Sequence, residues 1–238
     1  MADPAQIRSV RQLLAARLPR ARSGFAVRPA AATVPTGVAR LDRTLGGGLP
    51  HGETTELVGE GSGSGSAQII HALLHQAAAD GRFLALVDGA DSFDADAAEA
   101  ADLARLLWVR CRTVDETLAA TDLLLRDRNF PLVVVDLKLN PLVQLRRLSG
   151  SVWHRFNRLR EQHRTTLLVV TSRPLVGGAS RRVQTAARLG VAQTGRNPSE
   201  LLNALDFTLL RAVTLGEREE PPALLRPTTE PERFALVG

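Results

Sequence analysis

Thr54-Thr55-Glu56-Leu57-Val58-Gly59-Glu60-Gly61-Ser62-Gly63-Ser64-Gly65-Ser66 runs straight into Ala67-Gln68-Ile69-Ile70-His71-Ala72-Leu73. Its first part reads as a strand over Glu53 to Val58. Its last part opens a helix over Gln68 to Ala79, with Ile69, Leu73 and Ala77 on one stripe. Between the two stand residues 59–66, all glycine or serine except Glu60. Flexible linkers have this composition, but they do not sit between a buried strand and an amphipathic helix inside a domain. The segment therefore reads as a built loop, whose backbone N–H groups and following helix N-terminus attract anions.

Outward from this loop the chain alternates strand and helix. Upstream, Val38 to Leu45 reads as a short helix stopped by Gly46-Gly47-Gly48. Downstream, Arg82 to Val87 reads as a buried strand, Asp94 to Leu107 as helix and Trp108 to Cys111 as a short strand. Val114 to Arg126 reads as a helix opened by Thr113, with Glu116 three residues on as its capping partner. Pro131 to Leu137 and Thr165 to Thr171 carry unbroken apolar runs, which suit parallel strands covered on both faces. Val152 to Gln162 reads as the helix between them, and Arg188 to Gln193 and Phe207 to Val213 as later strands. This order predicts an α/β fold whose mostly parallel central sheet is flanked by helices.

Composition bounds the rest. The 238 residues are 44% hydrophobic and 23% charged, which suits one sizeable globular core. No apolar run is long enough to span a bilayer, and the N-terminus lacks a secretory pattern, so the expected compartment is the cytosol. A single cysteine, Cys111, excludes an intrachain disulfide framework. The 30 basic residues are Lys138 and 29 arginines, so the pI near 10.9 overstates a net charge of only +5. Residues 5–18 read as an N-terminal helix, 19–35 as a linker, 36–215 as the core and 216–238 as a flexible tail.

A phosphate loop has the pattern G-x-x-x-x-G-K-[ST] between a strand and a helix. Gly59 fits its first position and Ser66 its last; Ser64 stands at the second glycine and Gly65 at the lysine. No shift of register supplies a lysine, because the only one is Lys138. Loss of one charge-assisted phosphate contact costs about 1.5–3 kcal/mol, and turnover suffers more than binding. Leu132-Val133-Val134-Val135-Asp136 has the form of the strand whose terminal carboxylate holds the Mg²⁺ shell in nucleotide hydrolases.

With those pieces in place, the chain resembles the RecA-like family over roughly residues 36–215. Thr36-Gly37-Val38-Ala39-Arg40-Leu41-Asp42 through Leu45-Gly46-Gly47-Gly48-Leu49-Pro50-His51-Gly52 is similar to the segment before the family's phosphate loop. Leu86-Val87-Asp88-Gly89-Ala90-Asp91-Ser92-Phe93-Asp94 is similar to the stretch carrying the catalytic glutamate, with Ala90 in its place. Leu167 to Ser172 resembles the strand ending in the γ-phosphate-sensing glutamine, where this chain has Ser172. Gly177 to Leu189 resembles the exit of the second DNA-binding loop and the following strand. The resemblance implies a nucleotide site that has lost binding, chemistry and sensing residues together at Gly65, Ala90 and Ser172. It implies no catalytic residues, no metal site and no resident cofactor, with ATP and Mg²⁺ held weakly if at all.

Ala101-Asp102-Leu103-Ala104-Arg105-Leu106-Leu107-Trp108-Val109-Arg110-Cys111 and Thr121-Asp122-Leu123-Leu124-Leu125-Arg126 narrow the resemblance to the ImuA family within the SulA/RecA superfamily. That likeness implies a non-catalytic accessory role in SOS-induced translesion synthesis. The implied partners are an ImuB-like Y-family homologue, RecA and an error-prone DNA polymerase, with no membrane. A homo-oligomer through residues 5–18 is compatible with it. Arg181, Arg182 and Arg188 are the candidates for contact with DNA phosphates or a partner's carboxylates. Three other readings stay open on the residues: a slow ATPase, a DNA-binding module, and a cell-division inhibitor of the SulA type. His71 and His75, four apart on one helix, show no evident carboxylate partner in the sequence and read as packing or surface residues.

Overall fold

Four buried parallel strands make the middle of the molecule, and their apolar runs explain why. In the computed structural model, which describes residues 32–212 apart from 62, 128 and 186–196, these are β3 (Thr54–Val58), β4 (Leu84–Asp88), β6 (Leu132–Asp136) and β7 (Thr166–Thr171). All the described residues belong to the unit Val27–Thr214. With β5 (Leu106–Arg110), β8 (Arg181–Thr185) and β9 (Phe207–Ala212) they form a seven-stranded sheet in the order β5-β4-β6-β7-β3-β8-β9. Every pairing is parallel except β8 with β9. A separate antiparallel pair joins β1 (Thr33–Val34) to β2 (Leu49–Pro50).

The period-2 alternation of strand side chains divides the core into two layers. Leu57, Leu84, Leu86, Leu132, Val134, Leu168 and Val170 point to one face, where α2 (Ser66–Ala79) lays down Ile69, Ile70, Leu73 and Leu74. Ala85, Val87, Val133, Val135, Leu167 and Val169 point to the other. There α4 (Val114–Arg126) contributes Val114, Leu118 and Leu125, and α6 (Gly150–His163) contributes Trp153, Phe156 and Leu159. Helices on both faces of a parallel sheet are what such doubly apolar strands require. Trp153 and Phe156, with arginines between and after them in sequence, are thus core residues.

Helix ends follow local chemistry. α1 (Ala39–Leu45) stops where Gly46 turns left-handed and donates its N–H to Arg43 O, while Gly47 N–H reaches Asp42 O. α4 opens on the reciprocal capping box of Thr113 and Glu116 read from the sequence. Among the described residues, no helix is long and apolar enough to cross a membrane.

Several segments differ from the sequence reading. Asp94 to Leu107 is not one helix. It holds a 3₁₀ turn at Ala95–Ala97, the short α3 (Ala100–Leu103), and the first two residues of β5. Pairing of Leu106 and Leu107 with Leu84 and Ala85 of β4 outweighs the helix propensity of this alanine-rich stretch. Thr33 and Val34, read as linker, pair with β2. The stretch 177–189, likened to a loop exit and the strand after it, contains β8 at Arg181–Thr185, which pairs with both β3 and β9. Two short helices, α5 (Leu142–Leu145) and α7 (Pro198–Asn203), are additional to the elements expected from the sequence. The helix expected over 5–18, the strand over 188–193, Arg188 and the tail from 216 lie outside the described residues.

Candidate phosphate-loop site

Because β3, β4, β6 and β7 run parallel, their carboxyl ends open onto one end of the sheet. That end receives the loop after β3, Asp88, Asp136 and the residues after Thr171. Gly59 enters the loop with its N–H on Thr171 O at 2.8 Å. Gly61, Gly63 and Gly65 then take left-handed φ values of 67°, 72° and 77°, which lets the chain turn tightly and present its amides. Among the described residues α2 receives no side-chain cap, and its first turn carries no acid. Its N-terminal donors thus remain available to a ligand.

Position 65 is closed to the motif's lysine twice over. Its φ is left-handed, and a Cβ built there would lie 2.6 Å from both δ-carbons of Leu205, a fully buried side chain. Gly65→Lys should therefore destabilise the fold by about 2–5 kcal/mol, combining the left-handed penalty with overpacking. It should confer no ATP binding beyond that of the parent, as judged by urea unfolding and calorimetry side by side.

The expectation that no fixed cation stands at the loop does not hold. Lys138, two residues beyond β6, sends its Nζ to donate a hydrogen bond to Ser64 Oγ. The ammonium lies 3.1 Å from where a Cβ on Gly59 would be. Ser64 Oγ in turn lies 3.5 Å from Ser66 Oγ. Ser64 and Ser66 are both buried, so the lysine reaches the inner side of the loop. Sequence reasoning missed this residue because it searched the loop itself for a cation. The signal was the position of the sole lysine beside the carboxylate that ends the apolar strand.

Asp136 Oδ1 accepts the Lys138 backbone N–H at 2.9 Å. Burial pushes its carboxyl up to about 6; that hydrogen bond and the Lys138 charge oppose the rise, and the neighbouring Asp88 adds to it. Burial also holds the Lys138 ammonium below the usual lysine range, against the pull of Asp136. Asp88, itself buried, accepts N–H groups of Ser92 and Phe93 at 2.8 Å each and the Trp108 indole N–H at 3.2 Å. Its lone pairs hold the turn after β4. Ala90 follows in that turn and offers no proton acceptor. Ser172 Oγ is buried without a hydrogen-bond partner among the described residues.

The candidate contact arginines are placed differently from one another. Arg182 points inward: its Nε donates to Oε2 of the fully buried Glu56 at 2.5 Å and its Nη2 to Val176 O at 3.0 Å. Glu56 Oε1 also accepts the N–H groups of Leu175 and Val176 and the Thr171 hydroxyl. Arg181, half-buried, donates to Ser180 O at 3.4 Å. His75, which lacked an evident partner in the sequence, has one: its Nδ1 lies 3.0 Å from Asp102 Oδ2. His71 stacks on Phe93 instead. Among the described residues, no group of three or more His, Cys, Asp or Glu is arranged to hold a metal ion.

Strand order, loop position and the carboxylate at the end of β6 together define an α/β protein built around a phosphate-loop end. The chain matches the RecA N-terminal domain over residues 22–164, and it belongs to that family. It is 35% identical over 118 residues to Protein RecA of Mycolicibacterium gilvum, which covers 48% of this chain and 33% of that one. The figures for Protein RecA of Rhodococcus jostii are 35%, 48% and 34%. Protein RecA of Gloeothece citriformis is 34% identical over 117 residues, or 48% of this chain and 33% of that one. The match thus spans about a third of the length of these curated relatives.

Membership implies a nucleotide with Mg²⁺. The residues present fit its phosphates: the glycine turns would bring amides to them, Lys138 would supply positive charge, and Asp136 stands where a hydrated Mg²⁺ would be held. Bound there, the nucleotide would supply a scissile phosphoanhydride. At the two positions that the resemblance assigns to the base and the γ-phosphate sensor, the chain carries Ala90 and Ser172.

Proposed function

We propose that this chain is a non-catalytic RecA-family accessory protein of the ImuA type, acting in SOS-induced translesion synthesis through protein contacts. Its partners would be an ImuB-like Y-family homologue in the cytosol, together with RecA and the error-prone polymerase. One observation carries this reading. The RecA-like sheet is intact through all its central strands, yet the turn after β4 and the end of β7 present Ala90 and Ser172 where the family's chemistry and sensing would lie. A scaffold kept without its catalytic groups suits an interaction role.

The test is affinity purification of the full-length chain from cells exposed to DNA damage. Enrichment of the Y-family homologue is expected, with no ATP turnover above background by the purified chain. Recovery of the tubulin-like division protein in its stead would transfer the role to division control. Turnover abolished by Asp136→Ala would make the chain an ATPase and sink the non-catalytic reading.

A further inference from the structure

We propose that Lys138 takes the place of the lysine missing from the loop, so that the loop after β3, this ammonium and the uncapped start of α2 form a working site for a phosphate group. The cation comes from the β6–α5 connection, 74 residues further along the chain. This inference rests on the family's fold and on the site geometry, and is independent of which proteins the chain contacts.

Three observations converge on it. The position that carries the cation in the usual motif is occupied by Leu205 and held left-handed, so no side chain of residue 65 could serve. The Lys138 ammonium lies on the same loop by another route, within hydrogen-bond reach of Ser64 and against Gly59. The glycine turns and the first amides of α2 supply donors but no full charge, and a cation beside them adds a charge-assisted contact to a phosphate dianion. The choice of residue also has a physical sense. In a chain whose other 29 Lys or Arg residues are arginines, a compact ammonium lies where a side chain on Gly59 would begin and beside the buried Ser64. A planar guanidinium is wider and needs a larger opening. Binding at this place requires no turnover: the loop and Lys138 would orient the phosphate, and no group at position 90 would activate water against it.

Because Lys138 is the sole lysine, labelling the full-length protein with ¹³C,¹⁵N-lysine yields one lysine spin system that reports on this site alone. The arginine-rich surface, which attracts anions non-specifically, stays silent. Pyrophosphate, ATP with Mg²⁺, and adenosine are titrated in turn to millimolar concentration. The expected result is a saturable shift of the Lys138 side-chain signals with pyrophosphate or ATP and none with adenosine. Tighter binding of ATP would identify a nucleotide as the source of the phosphate, and equal or tighter binding of pyrophosphate an inorganic one. In calorimetry, Lys138→Met, which keeps most of the apolar stem, should weaken the same titration by about 10- to 100-fold, the loss of one charge-assisted contact. The proposal is overturned if the Lys138 signals respond to none of the three ligands, or equally to adenosine. It is overturned as well if folded Lys138→Met binds as the parent does. Should that variant not fold, the labelled parent alone decides.

Discussion

Arg182→Ala should lower the unfolding free energy by about 3–5 kcal/mol, the usual penalty for leaving one member of a buried ion pair alone. The measurement is urea unfolding followed by circular dichroism, read as a lower midpoint at unchanged slope. Glu56 sits on the central strand β3 with its side chain wholly out of water, and Arg182 Nε is its only charged hydrogen-bond donor among the described residues. The backbone N–H groups of Leu175 and Val176 and the Thr171 hydroxyl remain on Oε1, but Oε2 would lose its partner. Removing both charges while keeping the acceptor, as Glu56→Gln with Arg182→Leu, should recover much of the loss, since the amide oxygen can still take the Leu175 and Val176 N–H groups and no unpaired charge stays buried. A single variant within about 0.5 kcal/mol of the parent would show that the pair carries no such weight. The result also governs any test of DNA contact. Loss of nucleic-acid binding in an Arg181→Ala plus Arg182→Ala protein would report unfolding, so Arg181→Ala alone is the informative variant.

Asp136→Asn should stabilise the protein at neutral pH by about 2–3 kcal/mol, each unit of pKa shift being worth about 1.4 kcal/mol. The folded carboxyl titrates near 6 against an ordinary 3.8. Between those values the native protein keeps a proton that the unfolded chain has released. Stability therefore falls as pH rises through that window and stays at its lower level above it. Asparagine removes the cost of burying the charge beside Asp88 while keeping an oxygen for the Lys138 N–H. The gain should shrink toward zero near pH 4, where Asp136 is already protonated in the native state. Thermal unfolding of both proteins from about pH 4 to pH 8 reads the difference directly. A variant that is no more stable than the parent at pH 7 would mean that Asp136 is well served by its surroundings as a carboxylate.

How far the sequence could be read depended on whether a feature was local. Val133, Val134 and Val135 declare a doubly covered strand by themselves, and β6 lies inside the sheet as they require. The Thr113–Glu116 capping box and the Gly46 stop are written in residues a few positions apart, and both are present. The missed features are those set by partners distant in the chain. Leu106 and Leu107 become strand only because β4 offers them an edge, and Thr33 and Val34 only because β2 does. The site shows the same division. Gly65, Ala90 and Ser172 were legible as departures from a motif. The lysine that reaches the loop was not, because its contact with Ser64 closes across 74 positions. Arg182 read as a surface charge because its counter-ion lies 126 positions upstream.

The place of β3 in the sheet carries a consequence for synthesis on the ribosome. This strand lies between β7 and β8, yet it leaves the exit tunnel more than a hundred residues before either. The β5-β4-β6 half is complete in sequence at residue 136, whereas β3 gains its two neighbours only with residues 166–185. Glu56 and Arg182 can therefore meet only after β8 has been made, so their buried ion pair belongs to the later part of assembly.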